Sequence, residues 1–193
     1  MTDFAPLIAL LERHARSEPA QAAAVERILA LVRGRSDCLL RSCAPGHITA
    51  SALVLSPDQN DCLLTHHRKL DRWLQLGGHV DGEVAVHLAA LREAQEESGM
   101  QRIEFVMQDE RSLAPVPLDV DVHVIPAHRS EPAHEHHDIR FLLRAAPGQS
   151  LVISEESNDL RWFPLATLAA SNSPVEESVA RLARKALRVL GRT

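Results

Sequence analysis

The chain has 193 residues, 45% of them hydrophobic, with a formal net charge of −5 and a pI near 6.1. That length suits one domain of ordinary size plus an added segment, with enough apolar material for a real core. The acidic balance argues against a general binder of nucleic acid or anionic membrane, and no apolar run reaches membrane-spanning length.

The opening stretch, MTDFAPLIALLERHARSEP, carries Asp3 and Glu12 and lacks the cationic start of a signal peptide. Cys38, Cys43 and Cys62 are an odd number without a metal-type CxxC spacing. They read as reduced thiols, and the expectation is a cytoplasmic protein. Phe4, Leu7, Ile8, Leu10 and Leu11 recur at helical spacing. Pro19 then sits where a second helix begins, and Ala24, Val25, Ile28, Leu29 and Val32 continue it to Gly34. Residues 1–45 are therefore expected to form a helical extension packed on a main domain of residues 46–193. Simple core burial is its favoured role, and a homodimer interface or a cover over the substrate is the alternative.

Strand patterns start near His47. Ile48 to Leu55 and Cys62 to His66 are short apolar runs broken by Ser56-Pro57-Asp58. A helix is expected to end at Ser98-Gly99, with the glycine suited to the C′ position. Val116 to Ile125 alternates, with Val120, Val122 and Val124 expected in the core and Asp119, Asp121 and His123 on the other face. Asp138 to Arg144 is a second such strand, Asp159 to Pro164 a short third, and Val175 to Leu190 a terminal amphipathic helix. Strands, a helix, more strands and a last helix imply an α/β protein with a mixed sheet covered on both faces.

Between the first two and the later strands lies GGHVDGEVAVHLAALREAQEESGM, residues 77–100. Glu93, Glu96 and Glu97 stand at i, i+3 and i+4, neighbours on one helical face. Like charges held that close call for a counter-charge, which a hard divalent cation supplies directly. A solvated acidic helix face is the bland alternative. The stretch resembles the signature of the Nudix hydrolases, G-x5-E-x7-R-E-U-x-E-E-x-G-U with U a bulky aliphatic. Gly78, Arg92, Glu93, Glu96, Glu97, Gly99 and Met100 fall in register, over 23 of the 193 residues. Val84 replaces the first glutamate, and Ala94 is a small occupant of a U position.

The resemblance implies an α/β/α sandwich with a mixed sheet, preceded here by the helical segment. It also implies hydrolysis by water of a nucleoside diphosphate linked to another moiety. Mg²⁺ or Mn²⁺ would sit on Glu93, Glu96 and Glu97, Glu93 or Glu97 would be the general base, and Gly77, Gly78 and Gly99 would shape the structural loop. Arg92 would support the cluster. Its family partner is the glutamate lost at Val84, so Asp81 or Glu83 is expected to pair with it instead. Pro115, some fifteen residues past the signature, resembles a proline of ADP-ribose hydrolases. The absence of tyrosine argues against a dinucleoside polyphosphate substrate.

In the Nudix-fold isopentenyl diphosphate isomerases a metal-binding histidine occupies the loop position of His79. Gly77 and Gly78 stand where their catalytic thiol would be, so isomerase chemistry is the less favoured alternative. A non-catalytic nucleotide-binding module is another, and an interaction protein working through the helical arm is a third. Five of the eleven histidines lie between 123 and 137. Alternation places His123 with Asp121, and an antiparallel neighbour would bring His136, Asp138 and Arg140 to that face. His134 and His136 point the same way from an extended chain. These residues are candidates for substrate phosphate or for a second, softer metal, against the bland reading of a polar loop. His66-His67-Arg68-Lys69 is a further candidate phosphate contact.

Overall fold

A computed structural model describes residues 2–108, 114–127 and 132–192. Helix α1 (Ala5–Ser17) and helix α2 (Ala22–Gly34) are joined by a single 3₁₀ turn at Pro19–Gln21. Pro6 lies in the first turn of α1, where a missing N–H leaves nothing unpaired. Leu7, Leu10, Leu11 and His14 form the buried stripe of α1, and Val25, Ile28, Leu29 and Val32 that of α2. Both stripes join one core with Ile48, Ala50, Ile139 and Phe141 of the sheet. The arm is thus built into the domain's interior, as core burial required.

Strand β1 (Gly46–Leu55) is the axis of the sheet, and every one of its ten residues is buried. It runs parallel to β7 (His134–Ala145), with His47 opposite His136 and Asp138 opposite Thr49. Its other edge is shared between β4 (Leu76–His79), antiparallel with Thr49 opposite His79, and β2 (Asp61–His67), antiparallel with Val54 opposite Leu63. β3 (Arg72–Leu74) and β8 (Ser157–Pro164) flank β2, while β5 (Ile103–Phe105) and β6 (Asp119–Ile125) flank β7.

Helices α1, α2 and α3 (Val86–Ser98) cover one face. On the other face, α4 (Leu165–Ala169) and α5 (Glu177–Val189) enclose a second core around Leu53, Leu55, Leu64 and Leu142. The result is the expected mixed sheet between helical layers. Being buried on both faces, β1 reads as a continuous apolar run rather than an alternating one.

One core assignment is corrected. Burial fades along β6, from fully buried Asp119 and Val120 through half-buried Val122 to Val124, which is 61% exposed. Helix packing reaches only the inner half of this strand, so alternation continues where there is no longer a core to face.

Asp119 is correspondingly buried with its charge paired. It accepts from Arg181 at 2.8 Å and lies 2.9 Å from Lys185 Nζ. Burial alone would raise its pKa, but the Arg181 hydrogen bond and the Arg140, Lys185 and Arg181 charges outweigh that and hold it below 3.8.

Candidate active site

The signature segment forms a turn, a loop and α3. Gly77 sits at φ +152°, and a Cβ there would fall 2.6 Å from Ser51 Cα and 2.7 Å from the Ala50 carbonyl oxygen. Only glycine lets β4 lie this close to β1. At Gly78 a Cβ would meet Glu93 Oε2 at 2.6 Å, so the carboxylate occupies the space the side chain lacks. Gly99 ends α3 in the left-handed region at φ +74°, its N–H donating to Gln95 O at 2.8 Å. Ala94 is fully buried, where a larger aliphatic would need room.

The three glutamates differ sharply in environment. Glu97 is 7% exposed and accepts from the Gly77 N–H at 2.9 Å. Burial drives its carboxyl up to about 8, with Glu93 and Glu156 adding to the rise and the Gly77 hydrogen bond opposing it. Glu93 is half-buried, raised by burial and lowered in part by Arg92. Glu96 is the most exposed of the three, its side chain 60% accessible.

Arg92 ties the face together, donating to Glu93 Oε1 at 2.8 Å, Glu96 Oε2 at 3.2 Å and the His79 carbonyl at 2.8 Å. Asp81 Oδ2 lies 3.8 Å from this guanidinium, within ion-pair range. Glu83 instead accepts from the Ala85 N–H. Val84 is half-buried and packs against the core.

A cavity of about 360 Å³ opens beside the Gly77-Gly78 turn, a size suited to a small ligand. Glu97, His79, His123, His134, His136 and Asp138 line it; Arg41 and Lys69 bring positive charge, and His67, its pKa lowered by burial, adds an imidazole. The β6–β7 register places His123 opposite His136 and Asp121 opposite Asp138. Asp138 is 2% exposed and accepts from Thr49, Ser51 and Arg140. Arg140, also 2% exposed, spends its guanidinium on Asp119, Asp121, Asp138 and Ser178. It braces β6, β7 and α5 and lies outside the cavity lining. His66 is 3.4 Å from Asp71.

The residue that sequence reasoning missed is His47. It is 1% exposed at the start of β1, and neither ring nitrogen has a hydrogen-bond partner. The Cys43 backbone is near enough to raise its pKa slightly but not in hydrogen-bonding geometry. Burial first, then His79 and His134, lower its pKa to about 4. A lone histidine inside the apolar run GHITASALVL was the available signal. Among the described residues, His47, His79 and His136 form a group whose ligand atoms all lie within 4.8 Å of one another.

The turn, glutamate face and cavity define a hydrolase fold of a known class. The sequence matches the NUDIX domain family over residues 45–184. The chain belongs to the Nudix hydrolases.

Solved structures agree in fold. A NUDIX-family hydrolase from Clostridium perfringens is 21% identical at TM-score 0.57, over 75% of this chain and 97% of that one. RenU, a Nudix hydrolase from M. smegmatis, is 19% identical at TM-score 0.53, over 76% and 87%. The E. coli dihydroneopterin triphosphate pyrophosphohydrolase is 15% identical at TM-score 0.53, over 72% and 92%. No curated protein sequence matches.

Proposed function

We propose that the protein hydrolyses the pyrophosphate bond of a nucleoside diphosphate linked to another moiety, with a divalent cation, Mg²⁺ or Mn²⁺, held on the α3 face. The observation that carries this reading is Glu97, a carboxylate 7% exposed at the wall of a cavity about 360 Å³ in volume. The charges acting on it, from Glu93 and Glu156, are both negative. Burial first, then those charges, raises its pKa, and a cation bound there would favour the ionised carboxylate.

The donor type suits a hard ion: Glu97 lines the cavity, and the carboxylates of Glu93 and Glu96, now bonded to Arg92, would have to turn towards it to complete an oxygen-ligand set. A cation bound there would neutralise phosphate charge and favour attack by water. The chain's own residues supply the remainder. Arg41, His67 and Lys69 would orient the anionic substrate, and the Gly77 N–H would fix the Glu97 carboxylate through its 2.9 Å hydrogen bond. Arg92 would hold Glu93 and Glu96 in place. Glu93 or Glu97 would take the proton from water, a contribution typically of ~10²–10⁴ in rate.

The test is a panel of nucleoside diphosphate derivatives incubated with Mg²⁺ or Mn²⁺, with products separated by chromatography. Wild type is expected to release a nucleoside monophosphate from at least one of them. Glu97→Gln is expected to lose that activity by about 10²-fold or more while remaining folded. Turnover by Glu97→Gln at the wild-type rate would remove Glu97 from the mechanism.

A further inference from the structure

We propose that His47, His79 and His136, with His134 packed beside them, form a binding site for a borderline transition-metal dication such as Zn²⁺, separate from the glutamate face. Strand pairing builds it. His47 stands opposite His136 in the parallel β1–β7 register, and His79 stands opposite Thr49, two residues along β1 and so on the same face. The His47 ring centroid lies 5.0 Å from that of His79, 4.9 Å from His136 and 5.2 Å from His134.

Three observations point to a ligand rather than a self-satisfied polar cluster. His47 is 1% exposed with both ring nitrogens unpaired, an arrangement that buried imidazoles normally avoid. The ligand atoms of His47, His79 and His136 lie within 4.8 Å of one another, and a modest side-chain adjustment would bring them to metal–nitrogen distances of about 2.0–2.1 Å. The Nε2 atoms of His134 and His136 are 3.2 Å apart, a hydrogen bond in the metal-free pair whose length is close to the edge of a tetrahedron built on such bonds, roughly 3.3 Å.

The tautomer of His134 fits as well. Its Nδ1 is 2.9 Å from the Pro132 carbonyl, which can only accept. That nitrogen therefore carries the hydrogen, and in the neutral ring Nε2 presents its lone pair towards His136. Metal-binding histidines are commonly fixed by such a second hydrogen bond. Imidazole donors select Zn²⁺, Ni²⁺ or Co²⁺ over Mg²⁺. Glu156 and Asp81 act on His79 and would offset the added charge, while Arg41 opposes it. His79 directly follows the Gly77-Gly78 turn that holds Glu97, so an imidazole site and a carboxylate site would share one cavity.

The probe is Co²⁺, whose visible absorption reports nitrogen coordination and geometry without requiring turnover. Chelator-stripped full-length protein is titrated with Co²⁺ and then with Zn²⁺. The expected result is one saturable Co²⁺ site with tetrahedral-type absorption, displaced by Zn²⁺ and unaffected by excess Mg²⁺. His79→Gln and His136→Gln, both at half-buried positions, are each expected to weaken it by more than the ~10–100-fold that follows loss of a ligand's hydrogen-bond partner. Circular dichroism confirms that each variant is folded, so the fully buried His47 need not be replaced. Glu97→Gln is expected to retain the absorption while losing hydrolysis, which separates this inference from the proposed activity. No saturable absorption in wild type, or unchanged absorption in His79→Gln and His136→Gln, would overturn it.

Discussion

Replacing Glu97 by Gln is expected to stabilise the metal-free protein while disabling it. Burial drives the Glu97 carboxyl from 4.5 up to about 8 in the fold. Between those values the folded state holds a proton that the unfolded state has released. Stability therefore falls as pH rises through that window, and the penalty is absent below pH 4.5, where both states are protonated. Each pH unit corresponds to ~1.4 kcal/mol, so the accumulated penalty at pH 7 is on the order of 3 kcal/mol. The amide introduced by Glu97→Gln would carry no charge and could still accept from the Gly77 N–H, which Glu97 now does at 2.9 Å. For a chain of this size that gain should raise Tm by roughly 6–12 °C in a chelating buffer at pH 7, and the gap should close near pH 4.5. Added Mg²⁺ or Mn²⁺ should stabilise wild type and leave the variant nearly unchanged, by mass action on the folded state. The check is thermal denaturation of both proteins across pH 4.5–8 (values bracketing about 8 and the carboxylate reference), with and without cation. Parallel stability curves for the two proteins, or equal cation stabilisation, would refute the reasoning.

Other outcomes follow from particular contacts. Gly77→Ala would push a methyl against Ser51 Cα and the Ala50 carbonyl, and should lower stability by about 1–3 kcal/mol in urea denaturation. Arg92→Ala should change stability by less than ~1 kcal/mol, because its ion pairs are partly exposed. It should nonetheless reduce kcat by releasing Glu93 and Glu96. A kcat equal to wild type would make the clamp incidental. Asp119 and Asp121 have pKa values held below 3.8; burial would raise them, but the surrounding arginines and lysine dominate for Asp119, and the His123 ring 3.4 Å away together with the arginines for Asp121. Their stabilisation is present above the unfolded value and is lost as pH falls through the folded one. Asp119→Asn should cost about 3–5 kcal/mol at pH 7 by leaving cations buried without it, and should flatten the acid limb of the stability curve. Deleting residues 2–34 should unfold the domain, since Leu11, Val25 and Ile28 share its core. A folded, active truncation would restore the reading of the arm as a separate module.

The elements legible in the sequence were those whose side chains carry the pattern. The stripe of Leu7, Leu10, Leu11 and His14 has helical spacing. The alternation of Asp119, Asp121 and His123 against Asp138 and Arg140 anticipated the β6–β7 register, in which Asp121 meets Asp138 and His123 meets His136. β4 left no such trace. Its sequence, Leu76 to His79, is half glycine, and its place is set by backbone pairing to β1. β5, only Ile103–Phe105, is too short to show a period.

In the site, spacing alone marked Glu93, Glu96 and Glu97, but their unequal burial depends on how α3 leans on the turn. The partners of His47, though not its odd place in an apolar run, were illegible for a related reason. Its meeting with His79 and His136 comes from two non-local strand registers, which no local window of sequence contains. The polar face assigned to β6 likewise hid a structural role, because Arg140 and Asp119 are almost fully enclosed and neutralise one another.

On the proposed function, this cavity directs water onto a phosphoanhydride. Running the reaction in ¹⁸O-labelled water with Mn²⁺ and a nucleoside diphosphate derivative, and weighing the products by mass spectrometry, tests it most directly. The expected result is cation-dependent cleavage with one labelled oxygen on a phosphate of the products, suppressed in Glu97→Gln. Cleavage without label in any phosphate, or no cleavage of any derivative with either cation, would contradict it.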